Sequence, residues 1–218
     1  LSSSSAASDV YKRQIQYGSK YIIKRILDIT LAIIGITLLS PLLLGIYIYI
    51  RILDGGPSII KQNRVGLHGK QFKMYKFRTM KTNAHELRED LQNLNKNDDV
   101  IFKIENDPRL LKGTLKLRKL SLDELPQLIN VVRGNMSIVG PRPLFEEDTK
   151  LFSEKYMRRL NVLPGITGLL QINERNTSEF ETWYRYDIEY IENWTLYLDL
   201  KIILKTPLAL LKGNTKGL

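Results

Sequence analysis

Two neighbouring carboxylates, Asp123 and Glu124, open a run of regularly spaced apolar residues within Arg118 to Pro143, RKLSLDELPQLINVVRGNMSIVGPRP. Ser121 followed three residues later by Glu124 fits a helix capping box. Leu122, Leu125, Ile129 and Val132 then make one apolar helix face, and Gly134 is a helix stop. The pair has two readings. Acidic residues in a first helical turn ordinarily serve as caps, because the dipole favours anions there. Alternatively, neighbouring side chains point roughly 100° apart on a helix, so one carboxylate could attack phosphorus while the other holds magnesium. The dipole would then keep the attacking carboxylate ionised. Spacing alone favours the cap.

Two cationic features could complete such a site. In Val139-Gly140-Pro141-Arg142-Pro143, two prolines fix the backbone on either side of one arginine, whose fork then loses little entropy on gripping a phosphate. The bland reading is a rigid turn with an exposed arginine. In Lys73 to Thr79, KMYKFRT, a strand would place Lys76 and Arg78 on one face, where two cations can hold a diphosphate. The bland reading there is a solvated strand face.

The elements that must position these residues are partly readable. Ser58 to Val65 and Lys70 to Thr79 read as two strands joined by Gly66-Leu67-His68-Gly69, a hairpin. Thr82 to Asn95 is polar and expected to be helical, and Asn97-Asp98-Asp99 reads as a turn. Leu110 to Leu120 and Trp194 to Lys212 interleave leucine with charge, as surface helices or helices lying in a membrane interface do. Ile26 to Ile50 carries a single charge, Asp28, and exceeds the roughly 20 residues a membrane helix needs. Ser40-Pro41 lies just past its middle, where proline removes a donor and clashes with the preceding turn. Lys20, Lys24 and Arg25 precede the segment, and Arg51, Lys61 and Arg64 follow it, so both ends carry the cytoplasmic charge signature. A helix that enters, breaks at Ser40-Pro41 and leaves on the same side satisfies both facts. The Ser40 hydroxyl could then satisfy a freed carbonyl, and Asp28 could pair with Lys24 or Arg25.

Composition narrows the chemistry. The 218 residues include no cysteine and two histidines, which excludes thiol nucleophiles, disulfides and a histidine metal cluster. Any metal should be a hard cation on carboxylates and phosphates, with Mg2+ the default. A net charge of +10 points to an anionic partner: nucleic acid, anionic lipid or a phosphorylated substrate. Leu1 to Gln14, LSSSSAASDVYKRQ, resembles a translated cloning adapter, so the natural N-terminus is expected to lie elsewhere.

The segments KFRTM, NDPR, LSLDELPQLINVVRGNMSIVGPRP, LPGITGLLQI and YIENWTLYLDLKIILKT occur in this order. Together they resemble the bacterial sugar transferase family, the monotopic phosphoglycosyl transferases, from about Lys24 to Lys212. The resemblance implies that Asp123 is the nucleophile that forms a covalent phosphosugar intermediate, and that Glu124 beside it helps bind Mg2+. It places Arg142 in a phosphate-contacting Pro-Arg-Pro loop, Lys76 and Arg78 in a basic motif near the site, and Gln171 near the nucleotide. Arg118, at the head of the acidic segment, is counted with the phosphate-binding residues. Ser40 and Pro41 match the break of the family's re-entrant helix. Asn135 and Leu170 depart from the family pattern, which often has Asp and Trp there, and Leu170 is expected to alter the substrate pocket. Val100 to Arg109 resembles the larger exopolysaccharide-initiating members.

The expected fold is therefore α+β: a mostly helical, membrane-associated catalytic domain with a small β-hairpin or sheet. Its expected parts are a leader at 1–19, a re-entrant helix at 20–54 and a catalytic domain at 55–218. The implied reaction moves a hexose-1-phosphate from a UDP-sugar to undecaprenyl phosphate and releases UMP, at the cytoplasmic face of the bacterial inner membrane. Membrane lipids are expected partners and nucleic acid is not. Oligomeric state is not readable, a homodimer being one option. The rival is a basic membrane-surface adaptor that binds anionic lipid without catalysis, and a polytopic phosphosugar transferase is disfavoured by the single long apolar segment.

Overall fold

The computed structural model describes residues 19–82, 84, 107–146, 149, 154–175, 177 and 179–211. The helix expected over Thr82 to Asn95, the turn at Asn97-Asp98-Asp99 and most of Val100 to Arg109 lie outside them.

The chain begins with α1, Ser19–Asp54, a 36-residue helix whose 18-residue apolar window has a mean hydropathy of 2.4. Its burial is inverted relative to a soluble helix. Lys24, Asp28 and Ala32, one face at four-residue spacing, are buried against the rest of the protein, as are Ile46 and Ile50 further along. Ile22, Ile26, Leu38, Leu44 and Ile52 point outward, Leu38 at 74% and Ile52 at 80% exposure. A surface that buries a lysine–aspartate pair and exposes isoleucine suits a hydrocarbon solvent, not water.

The expected break at Ser40-Pro41 is not a break in the secondary structure: α1 is continuous through Pro41. Proline has no N–H to give Thr37, four residues earlier, and the Ser40 hydroxyl donates to the Thr37 carbonyl at 2.8 Å instead. The freed acceptor is satisfied within the helix itself, as the serine beside the proline suggested.

After Gly55-Gly56-Pro57 come β1, Ile59–Val65, and β2, Gln71–Phe77, antiparallel in the register Ile59↔Phe77 to Val65↔Gln71. A short 3-10 turn, Leu67–Gly69, closes this hairpin, with His68 and Gly69 both at positive φ. Next are α2, Leu115–Lys119, a 3-10 turn at Leu122–Glu124, and α3, Gln127–Val132. Then β3, Ser137–Val139, pairs in parallel with β4, Gly165–Thr167, across an intervening α4, Glu154–Met157, and the 3-10 turn Arg158–Asn161. Finally α5, Leu169–Asn173, α6, Phe180–Glu192, and α7, Leu196–Leu211, complete the mixed, mainly helical fold.

Three apolar clusters tie these pieces together, and α1 contributes to two of them. Ala32 packs with Met74, Val131 and Met136, and Ile46 and Ile50 pack with Phe77. The third gathers Val139, Val162, Tyr190, Ile191 and Ile202 beneath β3. Leu110 to Leu120, expected as one amphipathic helix, is helical only over α2, because Leu111 and Thr114 are buried and Gly113 takes a positive φ. In α7, Asp199 and Ile202 face inward, whereas Tyr197, Leu200, Leu204, Leu208 and Leu211 form an exposed apolar stripe.

Candidate active site

Asp123 and Glu124 do not lie on the first turn of a long helix. They occupy the 3-10 turn Leu122–Glu124, and α3 starts only at Gln127, after Pro126. Ser121 does not cap it. Its φ is +53°, its hydroxyl makes no cap bond, and that oxygen accepts a 2.7 Å hydrogen bond from Arg175 Nη2. The expected capping box and its helix dipole are therefore absent. Both carboxylates are buried, at 6% and 7% exposure.

Charge replaces the dipole. Lys76 Nζ, from β2, lies 2.9 Å from Glu124 Oε1 and 3.7 Å from Asp123 Oδ2. Arg142 grips Glu124 with both ends of its fork, Nη2 to Oε1 at 2.8 Å and Nη1 to Oε2 at 3.3 Å. The two acids therefore titrate in opposite directions. Burial, reinforced by the Glu124 charge, raises the Asp123 carboxyl above the usual range despite the opposing Lys76. Burial works on Glu124 in the same sense, but Arg142 and Lys76 together outweigh it and hold that group well below the carboxylate range. The helix dipole expected to keep Asp123 ionised is missing; cations stabilise the ionised form at Glu124, whereas burial opposes it at Asp123.

The arginine is presented by a loop held largely through its carbonyls, since neither flanking proline has an N–H to donate. Gly165 N–H donates to Pro141 O at 2.9 Å, Arg159 Nη2 to Arg142 O at 2.9 Å, and Arg64 Nη1 to Pro143 O at 3.3 Å. Gly140 N–H donates to Thr167 O at 2.9 Å. A Cβ on Gly140 would come within 2.5 Å of Leu163 O, and one on Gly165 would collide with the Gly140 backbone, so both positions need glycine. Lys76 is placed by Asn130, a fully buried residue of α3. Its Oδ1 accepts from Tyr75 N–H at 2.9 Å and its Nδ2 donates to Lys73 O at 2.8 Å, so a side-chain amide serves as one more strand partner for β2.

Of the residues singled out from the sequence, Lys76, Asp123, Glu124 and Arg142 meet at one point. Arg78 does not join Lys76. It lies beyond the end of β2, pairs with Asp54 and donates from Nε to Pro57 O at 2.6 Å, fastening the exit of α1. Arg118 contributes charge that favours ionised Asp123, and its carbonyl accepts from Arg175 Nη2 at 3.0 Å. Gln171, in α5, has a buried Nε2 with no hydrogen-bond partner among the described residues. Leu170 is 3% exposed, a core residue. Ser40 and Pro41 lie in α1.

Sequence reasoning missed Asn130, Arg159 and Arg175. Asn130 sits at a polar position within an apolar helix pattern, which was a readable signal. Arg175 holds Lys119 O, Arg118 O and Ser121 Oγ, and so braces the turn that leads into Asp123. Nothing local in the sequence marks it.

A divalent cation fits this donor set on chemical grounds. Asp123 offers hard oxygen donors with Lys76 at 3.7 Å, beyond hydrogen-bond distance, while Glu124 beside it would share a cation only by yielding part of its hold on Arg142 or Lys76. Among the described residues no cluster of three or more metal-binding side chains exists, so substrate phosphates would have to complete the coordination, as magnesium sites commonly require.

Residues 19–213 match the family model described as bacterial sugar transferase. The chain belongs to the bacterial sugar transferase family. This sugar transferase is 42% identical over 205 residues to the galactosyl transferase CpsE of Streptococcus agalactiae serotype III (strain NEM316), covering 94% of this chain and 45% of that protein. It is 41% identical over 187 residues to the exopolysaccharide production protein ExoY of Rhizobium meliloti (strain 1021), covering 84% and 83%. It is 40% identical over 204 residues to the undecaprenyl-phosphate galactose phosphotransferase of Salmonella typhimurium (strain LT2), covering 90% and 42%. The sugar transferase thus spans less than half of two of these relatives and most of ExoY.

Proposed function

We propose that this chain transfers a hexose-1-phosphate from a UDP-sugar to undecaprenyl phosphate and releases UMP, as a first step in building an exopolysaccharide, capsule or O-antigen glycan. The observation that carries this reading is Glu124 bridging Lys76 and Arg142 directly beside Asp123. It sets two cations that a diphosphate can share beside a candidate nucleophile. The printed activity of the Salmonella relative, a phosphotransferase acting on undecaprenyl phosphate, supports the same choice.

In this mechanism an Asp123 carboxylate oxygen attacks the β-phosphorus, the β-phosphorus–oxygen bond to UMP breaks, and UMP departs with its electron pair. Arg142 and Lys76 stabilise the charge spread over the phosphoryl oxygens. A phosphate oxygen of the polyprenyl acceptor then attacks the same phosphorus, the Asp123–phosphorus bond breaks, and the carboxylate is regenerated. Bound Mg2+, held by Asp123 and Glu124 together with substrate phosphates, would supply charge neutralisation. Two displacements replace one encounter between a soluble and a lipid substrate.

We further read α1 as re-entrant, with both ends at the cytoplasmic face of the inner membrane. Two observations support this. Lys24, Arg25 and Asp28 near its start and Ile46, Ile50 and Asp54 near its end all contact the same folded body. The α7 stripe adds an apolar surface suited to the interface. No observation favours the adaptor reading over catalysis.

The test is UMP release from a panel of UDP-sugars with undecaprenyl phosphate and Mg2+, with intact-mass detection of a phosphosugar on the protein. Ping-pong kinetics and an adduct lost in Asp123→Asn are the expected results. Normal turnover by Asp123→Asn ends the proposal.

A further inference from the structure

The Pro-Arg-Pro loop has one main-chain handle that neither proline nor glycine explains. Arg142 precedes a proline, which confines it to extended ψ. The Arg142–Pro143 peptide has no N–H, so only its carbonyl can fix the tilt of that plane, and with it the direction in which the Arg142 side chain leaves the backbone. That carbonyl is taken by Arg159 Nη2 at 2.9 Å. Arg159 is itself locked by Asp187 of α6, through Nε at 2.8 Å and Nη2 at 2.6 Å. Both residues are buried, at 3% and 4% exposure. A buried ion pair is costly to build, and one that spends a donor on a loop carbonyl does more than hold two helical segments together.

We propose that Arg159 and Asp187 are positioning residues for Arg142, setting its grip on the donor diphosphate through its backbone carbonyl. The inference rests on the proposed nucleoside diphosphate sugar as donor. It also explains the residue type. A guanidinium can satisfy Asp187 with two nitrogens and reach the carbonyl at the same time, whereas an ammonium offers one point of contact. Lysine at 159 would keep the charge balance with Asp187 but lose the simultaneous hold on the loop.

The test uses the full chain in lipid nanodiscs, with UDP and Mg2+ titrated by calorimetry and Tm recorded for each variant. Arg159→Lys and Asp187→Asn are each expected to weaken UDP binding by about 10-fold or more, the scale of losing an outer partner that orients a binding group. In an Arg142→Ala background the same changes should matter less than about twofold, because they act through a side chain no longer present. Losses that repeat in full without Arg142 overturn the proposal. So does a folded Arg159→Lys with unchanged affinity. If the variants show the non-additive pattern yet wild type releases no UMP from any UDP-sugar, the transfer reading falls and the positioning pair stands. If wild type binds no UDP, both fall.

Discussion

Asp123 and Glu124 have the same chemistry and adjacent positions, but the fold treats them differently. Glu124 receives Arg142 and Lys76 at hydrogen-bond distance, while at Asp123 burial outweighs the more distant Lys76. Asp123 is raised in the folded state, so its burial is tolerated while protonated and becomes a cost as pH climbs through the raised value. Asp123→Asn should therefore abolish the covalent adduct and raise Tm at pH 7, with the gain vanishing near pH 3, where both side chains are neutral. A Tm at pH 7 equal to or below wild type would contradict this. The same reasoning gives the direction of an activity limb. Glu124→Gln removes the like charge and releases Lys76 and Arg142 toward Asp123, so the acid limb of residual UMP release should move to lower pH. Lys76→Met removes an opposing cation and should move it to higher pH. The four residues that meet here were all legible in the sequence, but their titration was not. It depends on which cation reaches which oxygen, a distance set by β2 and the Pro-Arg-Pro loop.

Elements were legible where a local rule governed them and illegible where a distant side chain intervened. The hairpin follows from two strand-like runs and a glycine-flanked turn, and the two strands do pair antiparallel across it. The capping box failed because Arg175, more than fifty residues away, captures the Ser121 hydroxyl, and Pro126 moves the start of α3 downstream. Arg78 was assigned with Lys76 by strand periodicity, but β2 ends at Phe77, and the next side chain is free to turn toward Asp54. Asn130 is the element-scale hinge of the site, since its amide is the lateral partner of β2. Asn130→Leu leaves the Tyr75 N–H and Lys73 C=O without their partner and should cost about 1–3 kcal/mol for each group left buried and unpaired. The loss is read as a fall in Tm accompanied by weaker UDP binding. A Tm within error of wild type would show that water replaces both bonds.

At the scale of the molecule, α1 is the element whose type the sequence announced and whose attachment it did not. Length and hydropathy identify a helix with membrane character, and Ser40 completes the hydrogen bonding that Pro41 disrupts. The attachment comes from long-range pairs. Lys24 Nζ lies 2.6 Å from Asp199 and donates to Val139 O at 3.3 Å, Ile138 N–H donates to Asp28 at 3.0 Å, and Tyr190 OH bridges Asp199 and Val139 O. Lys24→Met strands two buried carboxylates, and about 3–5 kcal/mol of stability should be lost, measured as denaturation of the nanodisc-held protein. Lys24→Met with Asp199→Leu should recover part of that loss. The re-entrant reading has a clean assay because the chain contains no cysteine. Ser19→Cys and Ile52→Cys should both react with a membrane-impermeant maleimide from the cytoplasmic side, and labelling from opposite sides would refute it.

Lys24 meets Val139 one residue ahead of the Gly140-Pro141-Arg142 turn, so the apolar helix is also a strut of the proposed phosphate cradle. Trimming the chain to a water-soluble fragment would withdraw that strut. Such a fragment should fail to retain UDP even where no lipid substrate is involved, and no detergent could restore it. On the proposed function, leaving the bilayer and losing the donor site are one event.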